Sequence, residues 1–121
     1  MEQMTLGEMV NALKQMDLSE KLIEYDFSGQ QPGVWMGSWR GVYSQFAISH
    51  EPGEGADAEA FLQSLESCIG RTFYGWKGGE FLMDESTPVW VDNSGQSHST
   101  RVVGVKDFGW RVVILTEFNP Y

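Results

Sequence analysis

Residues Tyr74 to Val105 restrict the fold more than any other part of the chain. They hold Tyr74, Trp76, Phe81 and Trp90, the pair Gly78-Gly79, Lys77, the run Asn93-Ser94-Gly95, and Arg101. No helix-period spacing of apolar residues runs through them, so they do not form an amphipathic helix. They are too aromatic for a plain linker. The stretch reads as a ligand-facing loop followed by two strands, and it favours binding over chemistry because no catalytic motif lies in it.

The rest of the chain sets the frame. Its 121 residues are the length of one domain, taken as residues 1–121, and can bury a single core. A hydrophobic content of 41% with 13% aromatics fits a folded globule. Eight Lys+Arg against 17 Asp+Glu give a net charge of −9, which argues against duplex nucleic acid as a partner and is compatible with a basic partner surface. Cys68 is the single cysteine, so no intramolecular disulfide forms and a reducing compartment is expected. No signal segment or membrane-length apolar run is present, so the expectation is a soluble cytoplasmic protein without membrane contact.

Thr5-Leu6-Gly7-Glu8 is a capping box opening a first helix, with Leu6, Met9, Val10 and Leu13 as its core stripe and an end near Met16. Leu22 to Phe27 reads as a strand, and Ser28 to Gly33 as a turn. Val34 to Tyr43 is a glycine-kinked segment carrying Trp35, Trp39 and Arg40, and Gln45 to His50 is another strand. Asp57 caps a second helix, with Phe61, Leu62, Leu65, Cys68 and Ile69 on its buried face and Gly70 just past its end. Cys68 is read there as a packed thiol. Gly75 to Glu80 is a loop, Pro88 to Asp92 a strand, Ser94 to Thr100 a polar mobile run, and Arg101 to Val105 a strand. Lys106 to Gly109 turns into a last strand, Trp110 to Phe118. The expected fold is α+β: two helices packed on an antiparallel sheet, in the order helix, strands, helix, strands.

No P-loop, dinucleotide fingerprint, HExxH helix, CxxC pair or GxSxG elbow occurs. His50 and His98 stand outside any metal-ligand spacing and are read as surface histidines, and Asp84, Glu85 and Asp92 as solvated acids. No catalytic residue, metal ligand or cofactor is assigned. The positive signal is the placement of the scarce cations. Arg40, Lys77 and Arg101 sit among glycine, serine and aromatic residues. Arginine forks onto phosphate, glycine-rich turns offer N–H groups to anions, and Trp39, Tyr43, Trp76 and Phe81 can stack on a base. Asn93 can read a base edge or a ribose hydroxyl. The candidate ligand set is therefore Trp39, Arg40, Tyr43, Trp76, Lys77, Gly78, Gly79, Phe81, Asn93 and Arg101, around a small molecule bearing a base and a phosphate. The alternative is that the cations pair with the abundant acids and the aromatics fill the core. A pocket built from this set requires Arg40, Lys77 and Arg101 to converge on one cleft, and it fails if they point to separate surfaces.

Several motifs together resemble a family of small phage-encoded proteins: Thr5 to Glu8, Ser38-Trp39-Arg40-Gly41-Val42-Tyr43, Gly75 to Phe81 with Asp84, Thr87-Pro88-Val89-Trp90-Val91, and Val102 to Val105. The resemblance spans nearly the whole chain. The element order further resembles the first-described class of Thoeris anti-defence proteins. Those act as sponges that bind, without cleaving, the cyclic ADP-ribose-type signal of a bacterial TIR enzyme. The resemblance implies a protein of the infected bacterial cytoplasm that sequesters a nucleotide-derived immune signal, of cyclic ADP-ribose type or a cyclic oligonucleotide. It implies a homo-oligomer, at least a dimer, and Phe81, Asn93 and Arg101 as the residues matching that class's ligand contacts. Two competing expectations are an acidic inhibitor docking on a host defence enzyme and a hydrolase of the same signals.

Overall fold

The computed structural model describes residues 2–27, 29–93 and 98–119. Helix α1 (Leu6–Lys14) starts where local chemistry dictates. Glu8 N donates to Thr5 Oγ1 at 3.2 Å, and Thr5 N donates to Glu8 Oε1 at 2.9 Å. The helix stops at Lys14, with Gln15 as its C-cap, slightly before Met16. Gly7 lets it lie against the segment after residue 84: Gly7 N donates to Glu85 O at 2.9 Å, and an added Cβ would stand 2.8 Å from Glu85 Cβ.

Strands β1 (Leu22–Tyr25), β2 (Gln30–Ser38), β3 (Phe46–Pro52) and the short β4 (Ala56–Asp57) follow. Helix α2 (Ala58–Cys68) thus lies amid the strands, capped by Asp57 Oδ1, which accepts from Ala60 N at 2.9 Å. Gly70 follows at φ +80°, a conformation that suits glycine after a helix. Strands β5 (Thr72–Tyr74) and β6 (Glu80–Leu82) form a separate hairpin. Strands β7 (Val89–Val91), β8 (Ser99–Asp107) and β9 (Arg111–Asn119) complete the chain.

Seven strands among the described residues form one sheet in the order β2-β3-β7-β8-β9-β1-β4. The expected antiparallel sheet is corrected here: the sheet is mixed, because β3 pairs with β7 and β1 with β9 in parallel. A strand's alternation of side chains is the same in either direction, so its pattern does not reveal its orientation. Parallel neighbours need a long crossover, and α2 with the β5–β6 hairpin fills the one between β3 and β7. A second correction concerns residues 30–33, expected in a turn and found in β2. Pro32 is tolerated because β2 is an edge strand whose pairing with β3 shifts register between Pro32 and Met36.

One face of the sheet presents Ile23, Tyr25, Phe46, Ile48, Val89, Val91, Val102, Val112 and Ile114. These pack in one cluster with Leu6, Met9 and Leu13 of α1 and Phe61 and Leu65 of α2. Cys68 belongs to the same cluster, and burial pushes its thiol up, as a packed cysteine requires. No helix of the described residues is long and apolar enough to cross a membrane.

Tyr25 anchors the core at one end of the sheet. It is 3% exposed, and its hydroxyl donates to Ser49 O at 3.0 Å. Burial, reinforced by the negative charge of Asp92, raises that hydroxyl well above its ordinary 10.0. The folded state holds this proton more tightly than the unfolded chain does. The contribution to stability is therefore complete below pH 10 and is lost as pH rises above it. Tyr25→Phe is expected to cost about 1 kcal/mol at pH 7 through the lost hydrogen bond, while flattening the fall in stability above pH 10. Urea denaturation at both pH values checks this, and an undiminished alkaline loss in the variant would contradict it.

Candidate functional site

The face of the sheet turned away from the helices carries a row fixed by register: Gly37 opposite Ala47, Ala47 beside Trp90, Trp90 opposite Arg101, and Arg101 opposite Glu117. Residues paired in register project from the same face. Trp39 lies flat on Trp90, with ring centroids 3.7 Å apart and planes 6° apart. Trp90 Nε1 donates to Gln45 Oε1 at 2.6 Å, whereas Trp39 Nε1 is buried without a partner among the described residues. Trp35 leans over Gly37, where a Cβ would meet its ring at 2.9 Å.

The β5–β6 hairpin brings a second group to the rim of this face. Trp76 Nε1 donates to Ser38 O of edge strand β2 at 3.2 Å, and its ring lies 5.8 Å from that of Trp35. Arg40 stacks on Trp76, its guanidinium carbon 4.0 Å from the ring centroid. Tyr43 and Phe81 meet edge to face at 6.2 Å beneath the glycine loop. Gly78 and Gly79 hold that loop at φ +99° and +89°, and Lys77 beside them is exposed.

The structure therefore brings Arg40, Tyr43, Trp76, Gly78, Gly79 and Phe81 together around one hairpin, with Trp39 next along the sheet. Arg101 stands elsewhere. It forms an ion pair with Glu117, and the hydrogen bond from Arg101 is the main cause that holds the Glu117 carboxyl below its usual range. The groove containing Arg101 has a volume of about 280 Å3 and is lined by Trp90, Ser99, Glu117, Phe118 and Asn119, with neither Arg40 nor Lys77. The expected convergence of three cations on one cleft is thus corrected, and the single pocket built on it fails. Arg40 is drawn to the electron-rich face of Trp76, and Arg101 to a carboxylate directly across the strand pair. Asn93 faces neither group: it is 7% exposed, and its Nδ2 donates to His98 O at 2.9 Å. The turn at Asn93-Ser94-Gly95 and most of the polar run after it fall on residues 94–97, outside the described residues.

A different site lies at the end of the sheet. Strands β1, β3, β7 and β9 run in one direction, so their carboxyl ends share one edge. Open sheets with parallel strands commonly bind ligands beyond such ends. A cavity of about 400 Å3 opens there, a volume within the range of small-ligand sites. Phe27 lines it just beyond β1, His50 from β3, Val91 and Asp92 from the end of β7, and Thr116 and Phe118 from β9; His98 and Thr100 close it at the start of β8.

The walls of this cavity are organised. Phe27 stacks on Tyr25 at 4.9 Å, and His50 sets its ring edge-on to Phe27 at 5.7 Å. His50 Nδ1 is 2.8 Å from Gln30 Oε1. Thr116 is committed to Asp26, donating from N at 2.8 Å and from Oγ1 at 2.5 Å. The His98 ring lies 5.3 Å from that of Phe118. Two buried polar atoms, Asp92 Oδ1 and His98 Nδ1, have no hydrogen-bond partner among the described residues. Buried acceptors and donors are rarely left so, because each unpaired one costs about 1–3 kcal/mol. No group of three His, Cys, Asp or Glu side chains among the described residues is placed to hold a metal ion.

His50, read from sequence as a surface histidine, is exposed as expected, and it lines the cavity together with the half-buried Asp92 and His98. The signal that marks them is Val91-Asp92-Asn93, where a buried strand ends in a carboxylate instead of passing into solvent. Comparison of the chain with family models, with curated proteins and with solved structures found no match.

Asp92→Asn is expected to leave the ligand-free protein as stable as the parent or more so, since no partner of Oδ1 is lost and a buried charge is removed. Thermal and urea melts check this. A loss above about 1 kcal/mol, the scale of one hydrogen bond, would show that the carboxylate serves the fold.

Proposed function

We propose that this chain is a binding protein that sequesters a small nucleotide-derived signal, of cyclic ADP-ribose type or a cyclic oligonucleotide, without cleaving it. The observation that carries the reading is the carboxyl-end cavity of about 400 Å3, with Phe27, His50, His98 and Phe118 among the residues of its wall. Such a cavity offers stacking surface to an incoming base. The groove of Arg101 is a separate feature: by register Arg101 and Glu117 project from the face opposite to Thr100 and Phe118 of the cavity. Arg40 on Trp76 is a further exposed cation at the other end of the tryptophan row.

Sequestration is preferred to hydrolysis because the sequence carries no catalytic motif. A nucleophile and its base normally lie within hydrogen-bond reach of each other. The Thr116 hydroxyl, which donates to Asp26 Oδ1 at 2.5 Å beside the cavity, is the contact a hydrolase would draw on. Action in the cytoplasm of an infected bacterium and assembly into at least a dimer belong to the same reading. Tyr74 and Leu82 on the hairpin and Trp110 at the β8–β9 turn are among the large apolar side chains left exposed in a single chain.

Thermal shift and native mass spectrometry against cyclic ADP-ribose isomers and cyclic oligonucleotides test the proposal. A true ligand at about a hundred times its Kd is expected to add about 2.7 kcal/mol of stability, and to be recovered intact after denaturation. Absence of stabilisation by every member of the panel would overturn the proposal, and recovery of cleaved ligand would replace a sponge with an enzyme.

A further inference from the structure

Several aromatic rings of this chain already carry one of its own cations. Among the described residues, Arg40 stands over Trp76 at 4.0 Å, Arg71 over Phe73 at 4.7 Å, Lys106 over Phe108 at 5.1 Å and Arg111 over Trp110 at 4.3 Å. Phe27 and Phe118, the phenylalanines of the carboxyl-end cavity, make no such contact among the described residues, and none of the eight lysines and arginines lines that space.

The wall carries a negative charge instead. Asp92 is half-buried, lines the cavity, and takes part in none of the ion pairs found among the described residues. Its charge reaches the Tyr25 hydroxyl, where it adds to the rise that burial causes. A charge needs no aiming. Whichever carboxylate oxygen faces inward, an ion in the cavity senses it through surroundings that screen less than water. A phosphate or carboxylate there meets repulsion, whereas a cation meets a counter-charge that no lysine or arginine of the wall neutralises.

The rings are placed to receive such an ion. Tyr25 stacks on Phe27 at 4.9 Å and 14°. His50 is perpendicular to both, 5.7 Å from Phe27 and 6.4 Å from Tyr25. These three distances make a nearly equilateral triangle, so His50 stands beside the stack and not over the second face of Phe27. Phe118 is exposed and tilted 40° to His98. The face of an aromatic ring is the negative part of its quadrupole and attracts cations. Flat, delocalised cations are more weakly hydrated than an ammonium, so they lose less on leaving water.

Resting on the binding function proposed above, which puts the ligand in this cavity, we infer that the group entering it is a flat cation: a guanidinium, an amidinium, or a heterocycle alkylated at a ring nitrogen. Phe27 and Phe118 supply the contact surface and Asp92 the counter-charge. Any phosphate of the same molecule stays outside, and the cavity discriminates by the sign of charge.

Benzamidine, benzamide and benzoate test this, being flat molecules of one size with positive, zero and negative charge. They are titrated into the ¹⁵N-labelled protein at pH 8, so that imidazole protonation does not enter. Benzamidine is expected to bind about tenfold or more tightly than benzamide, with saturable shifts of the amide signals of Thr100, Thr116 and Phe118. Benzoate is expected not to saturate. High salt is expected to weaken benzamidine and to leave benzamide unchanged. Asp92→Asn keeps the shape of the side chain and removes its charge, and is expected to bring the ratio of benzamidine to benzamide affinity close to one. Its melting curve reports whether it folds, and the salt dependence of the parent protein decides the matter where it does not. Equal affinities for benzamidine and benzamide, tighter binding of benzoate, shifts confined to other parts of the molecule, a preference that survives in folded Asp92→Asn, or no saturable binding of any of the three would overturn the inference. Cyclic signals that stabilise a protein with no preference for benzamidine would leave the proposed function standing and remove this inference. A preference for benzamidine in a protein that ignores the cyclic signals would do the reverse.

Discussion

The structure depends on the direction of its strands. Parallel pairing of β1 with β9 and of β3 with β7 aligns the carboxyl ends of four strands along one edge of the sheet. That single arrangement decides what meets there: Phe27, His50, Asp92 and Phe118 come from segments far apart in the chain. The parallel pairings also demand a crossover, and the chain uses it. Between β3 and β7 it places α2, which helps bury the core face, and the β5–β6 hairpin, whose Trp76 reaches the carbonyl of Ser38 on edge strand β2. An edge strand with free carbonyls invites pairing with other chains, and an indole N–H held on one of them occupies part of that edge.

The two faces of the sheet do different work. The helix-covered face is apolar and supplies stability through burial. The other face carries tryptophans and a cross-strand ion pair in the register Trp90–Arg101–Glu117. The Arg101–Glu117 pair is about 40% exposed on both sides, so water screens it and its share of stability is small. An arginine so lightly held can exchange its carboxylate for a phosphate at little cost, whereas a deeply buried pair could not. By register this cation and the cavity residues Thr100 and Phe118 project from opposite faces of the sheet.

Local chemistry was readable from the residues alone. The reciprocal bonds of Thr5 and Glu8, the cap at Asp57, the left-handed Gly70 and the turn between β8 and β9 all follow from neighbours a few positions apart. Strand direction was not readable, since alternation is blind to it, nor was the edge position that lets Pro32 sit in β2. The site divides in the same way. Arg40, Tyr43, Trp76 and Phe81 could be grouped because they flank glycine-rich segments that meet at one hairpin. Asp92, His50 and His98 could not, because isolated polar residues acquire meaning only when distant strands bring them to one cavity. Arg101 was chosen for its neighbours in sequence, while its behaviour is set by Glu117, 16 positions away and directly across the strand pair.

The central claim is that the carboxyl ends of the strands form the ligand site. A crystal structure of the protein soaked with cyclic ADP-ribose or a cyclic dinucleotide tests it most directly. Ligand density is expected in the cavity lined by Phe27 and Phe118. Density on the Trp76 hairpin, with the carboxyl-end cavity holding only water, would contradict it.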